Sequence, residues 1–205
     1  MSIASLNKFT VPLASNQSAS SQGMLMPKLQ YRFRVTLENF GVSTPRTELT
    51  KQVTEAKRPT VTFQDIVLDT YNSKIKLLGK PEWQDFTVSF RDDVSGNVNK
   101  LIGEQLQKQY DFMEQASAAS GIDYKFVSRL EMLDGGNGAS SPTILETWEM
   151  YGCILTSVDY GSVNYGTSEA VIIACIIKFD NAVQTPAGSG VGAAVTRALG
   201  SVATG

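Results

Sequence analysis

Residues 57–93, KRPTVTFQDIVLDTYNSKIKLLGKPEWQDFTVSFRDD, leave few folds open to this chain, because they alternate and reverse as paired strands do. An extended run through Val61 and Val67 reverses at Tyr71-Asn72-Ser73 and returns from Lys74 to Leu78. It turns at Gly79-Lys80-Pro81 and leaves as a strand from Trp83 to Phe90. Ile66, Val67 and Leu68 are consecutive apolar residues among the charges of Asp65, Asp69, Lys74 and Lys76. Left uncovered, such a hairpin is an aggregation hazard, so the pattern points to an interface.

The same period of two recurs along the chain. In residues 28–38, Leu29, Tyr31, Phe33, Val35 and Leu37 point one way and Gln30, Arg32, Arg34, Thr36 and Glu38 the other, as in a half-buried strand. A less regular strand is expected over 49–56. After Phe90, Asp92, Asp93 and Ser95 offer helix-starting side chains, and Val98, Leu101, Ile102, Leu106, Tyr110 and Met113 recur at helical spacing, predicting one helix over about 94–116. Further strands are expected at 124–133 and at 144–160, the latter bent at Gly152 with Trp148, Met150, Ile154 and Val158 on one face. The last, 169–179, is apolar on both faces and is expected to be covered on both sides. This order predicts a mainly β protein with one α-helix, built as a two-sheet antiparallel β-barrel or sandwich over residues 27–182. Residues 1–26 read as a flexible arm rich in Ser, Ala, Asn and Gln, and residues 183–205 as a flexible Gly/Ala-rich arm.

Composition narrows the function. A chain of 205 residues suits one domain, and 42% hydrophobic with 19% charged residues is the balance of a soluble globular protein. The longest apolar run, residues 170–177, is too short to span a bilayer, and the first residues lack the pattern of a secretory signal. A net charge of -2 argues against a broad surface that grips nucleic acid. There is no histidine, which removes the commonest general base, the usual triad partner and the commonest zinc ligand. No catalytic, cofactor-binding or metal residue is therefore expected, and the chain does not read as an enzyme.

The remaining motifs have structural readings. Asp92-Asp93 suits a helix start better than paired-carboxylate chemistry. The turn at residues 134–139, Asp-Gly-Gly-Asn-Gly-Ala, has too few acidic ligands for calcium and lacks the Lys-Ser/Thr of a phosphate loop. Trp83, Trp148, Tyr31, Phe33, Phe86 and Phe90 share parity with aliphatic residues, as core aromatics do, while Arg32 and Arg34 belong to a polar outer or luminal face. Cys153 and Cys175 lie in apolar strand-like segments without metal or disulfide spacing and read as buried free thiols.

The Asn72-x-Lys74 hairpin, the Gly79 turn and the strand Trp83-Gln84-Asp85-Phe86-Thr87-Val88 ahead of a helix resemble, in that order, the tail tube proteins of contractile-tailed bacteriophages. The likeness extends more loosely over residues 27–180. That family shares its fold with the needle-tube protein of type VI secretion. The resemblance implies a protomer whose copies close into rings of six, joining their inner strands into a continuous barrel, with rings stacked into a tube. Such a tube conducts DNA and the tape-measure protein inside a contractile sheath, with baseplate and tail terminator proteins as further partners. It also implies no cofactor, no membrane anchor, DNA that passes without specific binding, and a place in the virion tail after assembly in the host bacterial cytoplasm. Carried onto this chain, the hairpin over about 59–81 contacts the adjacent ring or subunit through Phe63, Asp65, Tyr71 and Lys74. The long ends and the Gly-rich 134–141 loop depart from the family pattern. The competing readings are a baseplate tube initiator of the same fold, a β-barrel carrier of a small apolar ligand and, last, an enzyme.

Overall fold

The computed structural model describes residues 28–42, 47–117, 124–134 and 142–185. The expected N-terminal arm, most of the C-terminal arm and the Gly-rich turn after Asp134 lie outside these residues. The chain divides between Arg32 and Phe33. Ahead of the division, the Arg32 N–H donates to the Leu29 carbonyl in a turn, and the guanidinium lies 5.4 Å from the Tyr31 ring centre. The strand expected from residue 28 therefore begins only at Phe33, and Tyr31 is exposed instead of joining the core.

From Phe33 onward the elements are β1 (Phe33–Glu38), α1 (Thr47–Gln52), β2 (Val53–Ala56), β3 (Val61–Thr70), β4 (Ser73–Trp83), β5 (Phe86–Arg91), α2 (Asn97–Gln109), β6 (Tyr110–Asp111), β7 (Ala116–Ser117), β8 (Phe126–Leu133), β9 (Ile144–Asp159), β10 (Ile172–Lys178) and β11 (Asn181–Thr185). Among the described residues the protein is mainly β, as expected, with two helices in place of one. Seven strands form an antiparallel array in the order β1-β8-β9-β10-β5-β2, with β11 also on β9, and the array does not close into a barrel.

Strand β9 organises this array. Its first part pairs with β8 on one side and β11 on the other, and its last part pairs with β10. Between the two, Gly152 takes φ +67, a left-handed conformation that costs glycine little. Opposite it, the Asp180 N–H donates to the Tyr151 carbonyl at 3.0 Å, where β10 gives way to β11. Both strands thus bend together, and the array becomes two halves facing one core. The bend also changes which side chains point inward. Met150 is buried, but after Gly152 it is Cys153 and Leu155 that enter the core, and Ile154 of the expected face turns outward. A bulge reverses parity in this way because the side-chain period of a strand is two.

The core combines Val35 and Leu37 of β1, Phe126 and Leu130 of β8, Phe86, Val88 and Phe90 of β5, and Ile173, Cys175 and Ile177 of β10. Phe40 and Phe126 meet edge to face with ring centres 5.0 Å apart. The other row of β10 is only partly covered in the single chain, with Ile172 48% exposed, so the expected double coverage is absent within the protomer. Strand β11 pairs with β9 as far as Thr185, continuing along β9 from where β10 leaves it.

Helix α2 buries Val98, Leu101, Ile102 and Gln105 against the sheets. It starts at Asn97 behind Gly96, later than the expected 94, but Asp93 still serves its first turn: the Val98 N–H donates to Asp93 Oδ1 at 3.1 Å, and the Asp93 carboxylate also accepts from the Ser95 hydroxyl. The Ser95 and Val98 hydrogen bonds hold the Asp93 pKa below its ordinary value. Its end does not match. The helix stops at Gln109, Tyr110 turns extended, and Met113 is exposed. The Gln109 carboxamide donates to the Leu155 carbonyl at 2.8 Å and accepts from the Leu155 N–H at 2.9 Å, completing β9 where β8 no longer reaches it. The second helix, α1, occupies part of the span expected as strand and fixes itself through buried Leu49.

Two measurements test this arrangement. A Cβ at Gly152 would run into the Asp180 carboxylate and demand positive φ, so Gly152→Ala is expected to cost about 1–3 kcal/mol, read as a lower melting temperature. Burial pushes the Cys153 and Cys175 thiols up to about 12. Neither is expected to react with a thiol reagent at pH 8 until the protein is denatured, and rapid native labelling would show that the β9–β10 core opens.

Candidate assembly interface

Strands β3 and β4 pair only with each other among the described residues and stand outside the seven-stranded array. Their hairpin is joined by Tyr71 and Asn72, with Thr70 opposite Ser73. The Thr70 hydroxyl donates to the Ser73 carbonyl at 2.8 Å. Every residue of β3 is exposed, and so is most of β4. A ten-residue strand is about 33 Å long, so the hairpin presents a long two-stranded ribbon. An isolated ribbon of two strands is marginal in water.

Contrary to expectation, the chain does not turn at Gly79-Lys80-Pro81. The pairing runs on to Val61 opposite Trp83, with a bulge where the register passes from Phe63–Pro81 to Asp65–Leu78. A Cβ on Gly79 would lie 2.5 Å from the Gln64 carbonyl oxygen, so the bulge requires glycine there. The break expected at Gly79 falls instead just after Trp83, which packs against Phe179 with ring centres 5.5 Å apart and anchors the ribbon's base.

Register sorts the ribbon into two faces. On one, Ile66 lies opposite Leu77 and Leu68 opposite Ile75, a patch of four aliphatic side chains each about half exposed. On the other, Asp65, Val67 and Asp69 lie opposite Leu78, Lys76 and Lys74. Asp69 and Lys74 are 3.4 Å apart and Asp65 and Lys76 3.9 Å apart. All four charged groups are well exposed, so these pairs contribute little to stability. Burying the open half of the four aliphatic side chains would contribute roughly 3–6 kcal/mol per hairpin. The apolar face, not the ion pairs, carries the capacity to associate.

The four residues expected to make contacts are spread along the ribbon. Phe63 sits near its base opposite Pro81, Asp65 and Lys74 lie on the charged face with different partners, and Tyr71 is fully exposed at the tip. Ile75 and Leu77, which complete the open apolar face with Ile66 and Leu68, were not singled out from the sequence. The two-residue turn was the available signal, since counting back from it sets them opposite Leu68 and Ile66.

The outer face of β1, β8 and β9 differs in kind. Arg129 lies 2.9 Å from Glu38 and 2.9 Å from Glu149, which accepts from the Tyr151 hydroxyl, and Arg34 lies 2.6 Å from Glu131. Burial works against the Arg129 charge, but the Glu149 hydrogen bond and the surrounding carboxylates outweigh it and raise its pKa. This places Arg34 on a polar face turned away from the core, with its charge matched. Among the described residues no group of three His, Cys, Asp or Glu side chains is set to hold a metal ion.

Gly79→Ala is expected to loosen the hairpin while sparing the body. Amide exchange over residues 61–83 should accelerate, with the melting temperature of the core nearly unchanged; equal protection in both proteins would contradict the close approach to Gln64.

No family model and no curated relative matches the sequence. Solved structures do match in fold. A chain of the anti-feeding prophage tube-terminating cap aligns with TM-score 0.57 at 17% identity, covering 80% of this chain and 93% of that one. A chain of the PVC sheath–tube complex, from an extracellular contractile injection system in its extended state, aligns with TM-score 0.57 at 13% identity, covering 83% and 99%. A chain of the anti-feeding prophage baseplate gives TM-score 0.57 at 12% identity, covering 78% and 97%. The chain therefore has the tail-tube fold found in the tube and cap proteins of contractile injection systems.

Proposed function

We propose that this protein is the protomer of a tail tube, a structural and non-enzymatic part of a contractile phage tail. Copies close into rings of six, and rings stack into a rigid conduit inside the sheath. DNA and the tape-measure protein pass through it when the sheath contracts. Baseplate and terminator proteins bound its two ends, and the tail belongs to a virion assembled in the bacterial cytoplasm.

The observation that carries this reading is the projecting hairpin with Ile66, Leu68, Ile75 and Leu77 on one open face. A monomer that kept such a face in water would be prone to indiscriminate aggregation, whereas an assembly covers it in every copy. Phe63, Asp65, Tyr71 and Lys74 flank that face and are contacts with the adjacent ring or subunit in this reading. The half-covered outer row of β10 supports the same conclusion, because a second copy completes what the protomer leaves open. Matched charges on the β1-β8-β9 outer face suit a channel whose wall does not hold phosphates.

A baseplate or cap component of the same fold is the second reading, favoured by the fold matches to the baseplate and the terminating cap. Copy number in purified particles separates the two, since a tube protomer is present in many rings and an end component in few.

Sedimentation velocity tests the assembly. The wild-type chain is expected to sediment as rings or longer polymers at high concentration. A variant carrying Ile66→Ser, Leu68→Ser, Ile75→Ser and Leu77→Ser should not grow beyond single rings and should keep the far-ultraviolet spectrum of the wild type. Polymerisation of this variant at the wild-type concentration would remove the hairpin face from the interface.

A further inference from the structure

Charge divides the ribbon lengthwise. Strand β3 carries Asp65 and Asp69 and no basic residue, whereas β4 carries Lys74, Lys76 and Lys80 against the single acidic Glu82. Neither strand has a third strand beside it among the described residues, so each offers a free backbone edge. The ribbon is therefore a two-sided edge with an acidic margin and a basic one.

We propose that hairpins of neighbouring copies pair edge to edge in a head-to-tail sense, the acidic β3 of one copy beside the basic β4 of the next. This rests on the assembly reading above and specifies which surfaces meet. Two hairpins can abut through their edges in three ways. Joining β3 to β3 sets Asp65 and Asp69 against the same carboxylates, and joining β4 to β4 sets lysine against lysine. Like charges on adjacent strands are destabilising. Only β3 against β4 alternates the signs, and because the two strands of a hairpin run in opposite directions, the new pair is antiparallel like the old.

The existing ion pairs leave room for this. The Asp65, Asp69, Lys74 and Lys76 side chains are between 62% and 75% exposed, so each keeps hydrogen-bonding capacity toward the free edge. With strands about 4.8 Å apart, each carboxylate would sit between its own lysine and that of the next copy. A head-to-tail contact is heterologous, and with the six-fold rotation of the proposed assembly it closes into a ring. In that ring every hairpin turns its Ile66, Leu68, Ile75 and Leu77 face the same way, forming one apolar belt.

A charge-swapped chain tests the proposal while preserving the pairs inside each hairpin: Asp65→Lys, Asp69→Lys, Lys74→Asp and Lys76→Asp together. It should assemble by itself, because its edges remain complementary to each other. Mixed with the wild type, it should sort into separate particles, because each mixed edge brings like charges together. With each protein prepared as an equal mixture of ¹⁵N-labelled and unlabelled chains, carbodiimide cross-links between the carboxylate-bearing strand of one chain and the lysine-bearing strand of another, β3 to β4 in the wild type and β4 to β3 in the swapped chain, should form within each type. Links between the types should be about tenfold fewer. Freely mixed particles, a swapped chain that cannot assemble, or wild-type tubes with only same-chain links would each overturn the edge pairing and leave the tube reading standing. A wild-type chain that forms no polymer would overturn both.

Discussion

The bend of β9 at Gly152 is the constraint on which the rest of the molecule depends. One strand serves both halves of the sandwich only because it changes direction there, and it can do so only with a residue that tolerates positive φ and yields space to Asp180. Lys125 holds that carboxylate at 2.6 Å. The Asp180 hydrogen bond outweighs the cost of burial and raises the Lys125 pKa above the ordinary lysine range. Its contribution is full below that range and is lost only as alkaline pH passes the raised value. The two bent strands then bring Met150, Cys153 and Leu155 to the core and leave edges for α2 to finish through Gln109.

Once the body closes on itself, the hairpin is left outside it. Nothing in the packing of β3 and β4 against each other accounts for Ile66, Leu68, Ile75 and Leu77, because both partners of each pair lie on the same open face. Trp83 and Phe179 fix the base of the ribbon to the body, and the bulge at Gly79 sets the twist with which it leaves. The fold thus holds an apolar ribbon at a defined place with its apolar face open, as the proposed stacked assembly requires of each copy.

Much of this was legible from residue patterns. The reversal at residues 71–72, the strands at β5, β8 and β10, and the glycine bend in β9 all follow from alternation and turn chemistry. What escaped has physical causes. Helix α1 is six residues long and is held by Leu49, too little for a periodic signal. Parity after Gly152 could not be read because a bulge inverts it, and β4 ran through an apparent turn because a second bulge absorbs Gly79 and Lys80. Helix α2 ended early because Gln109 is drawn to the free edge of β9, a long-range contact that local spacing does not encode. The exposed apolar hairpin was legible at residues 66–68, but Ile75 and Leu77 gain meaning only from register across the strands.

A cryo-electron microscopy reconstruction of the purified, concentrated protein tests the central claim most directly. Stacked rings in which residues 61–83 of each copy are buried against another copy are the expected result. Dispersed single protomers, or an assembly whose hairpins stand free in solvent with Ile66, Leu68, Ile75 and Leu77 uncovered, would contradict it.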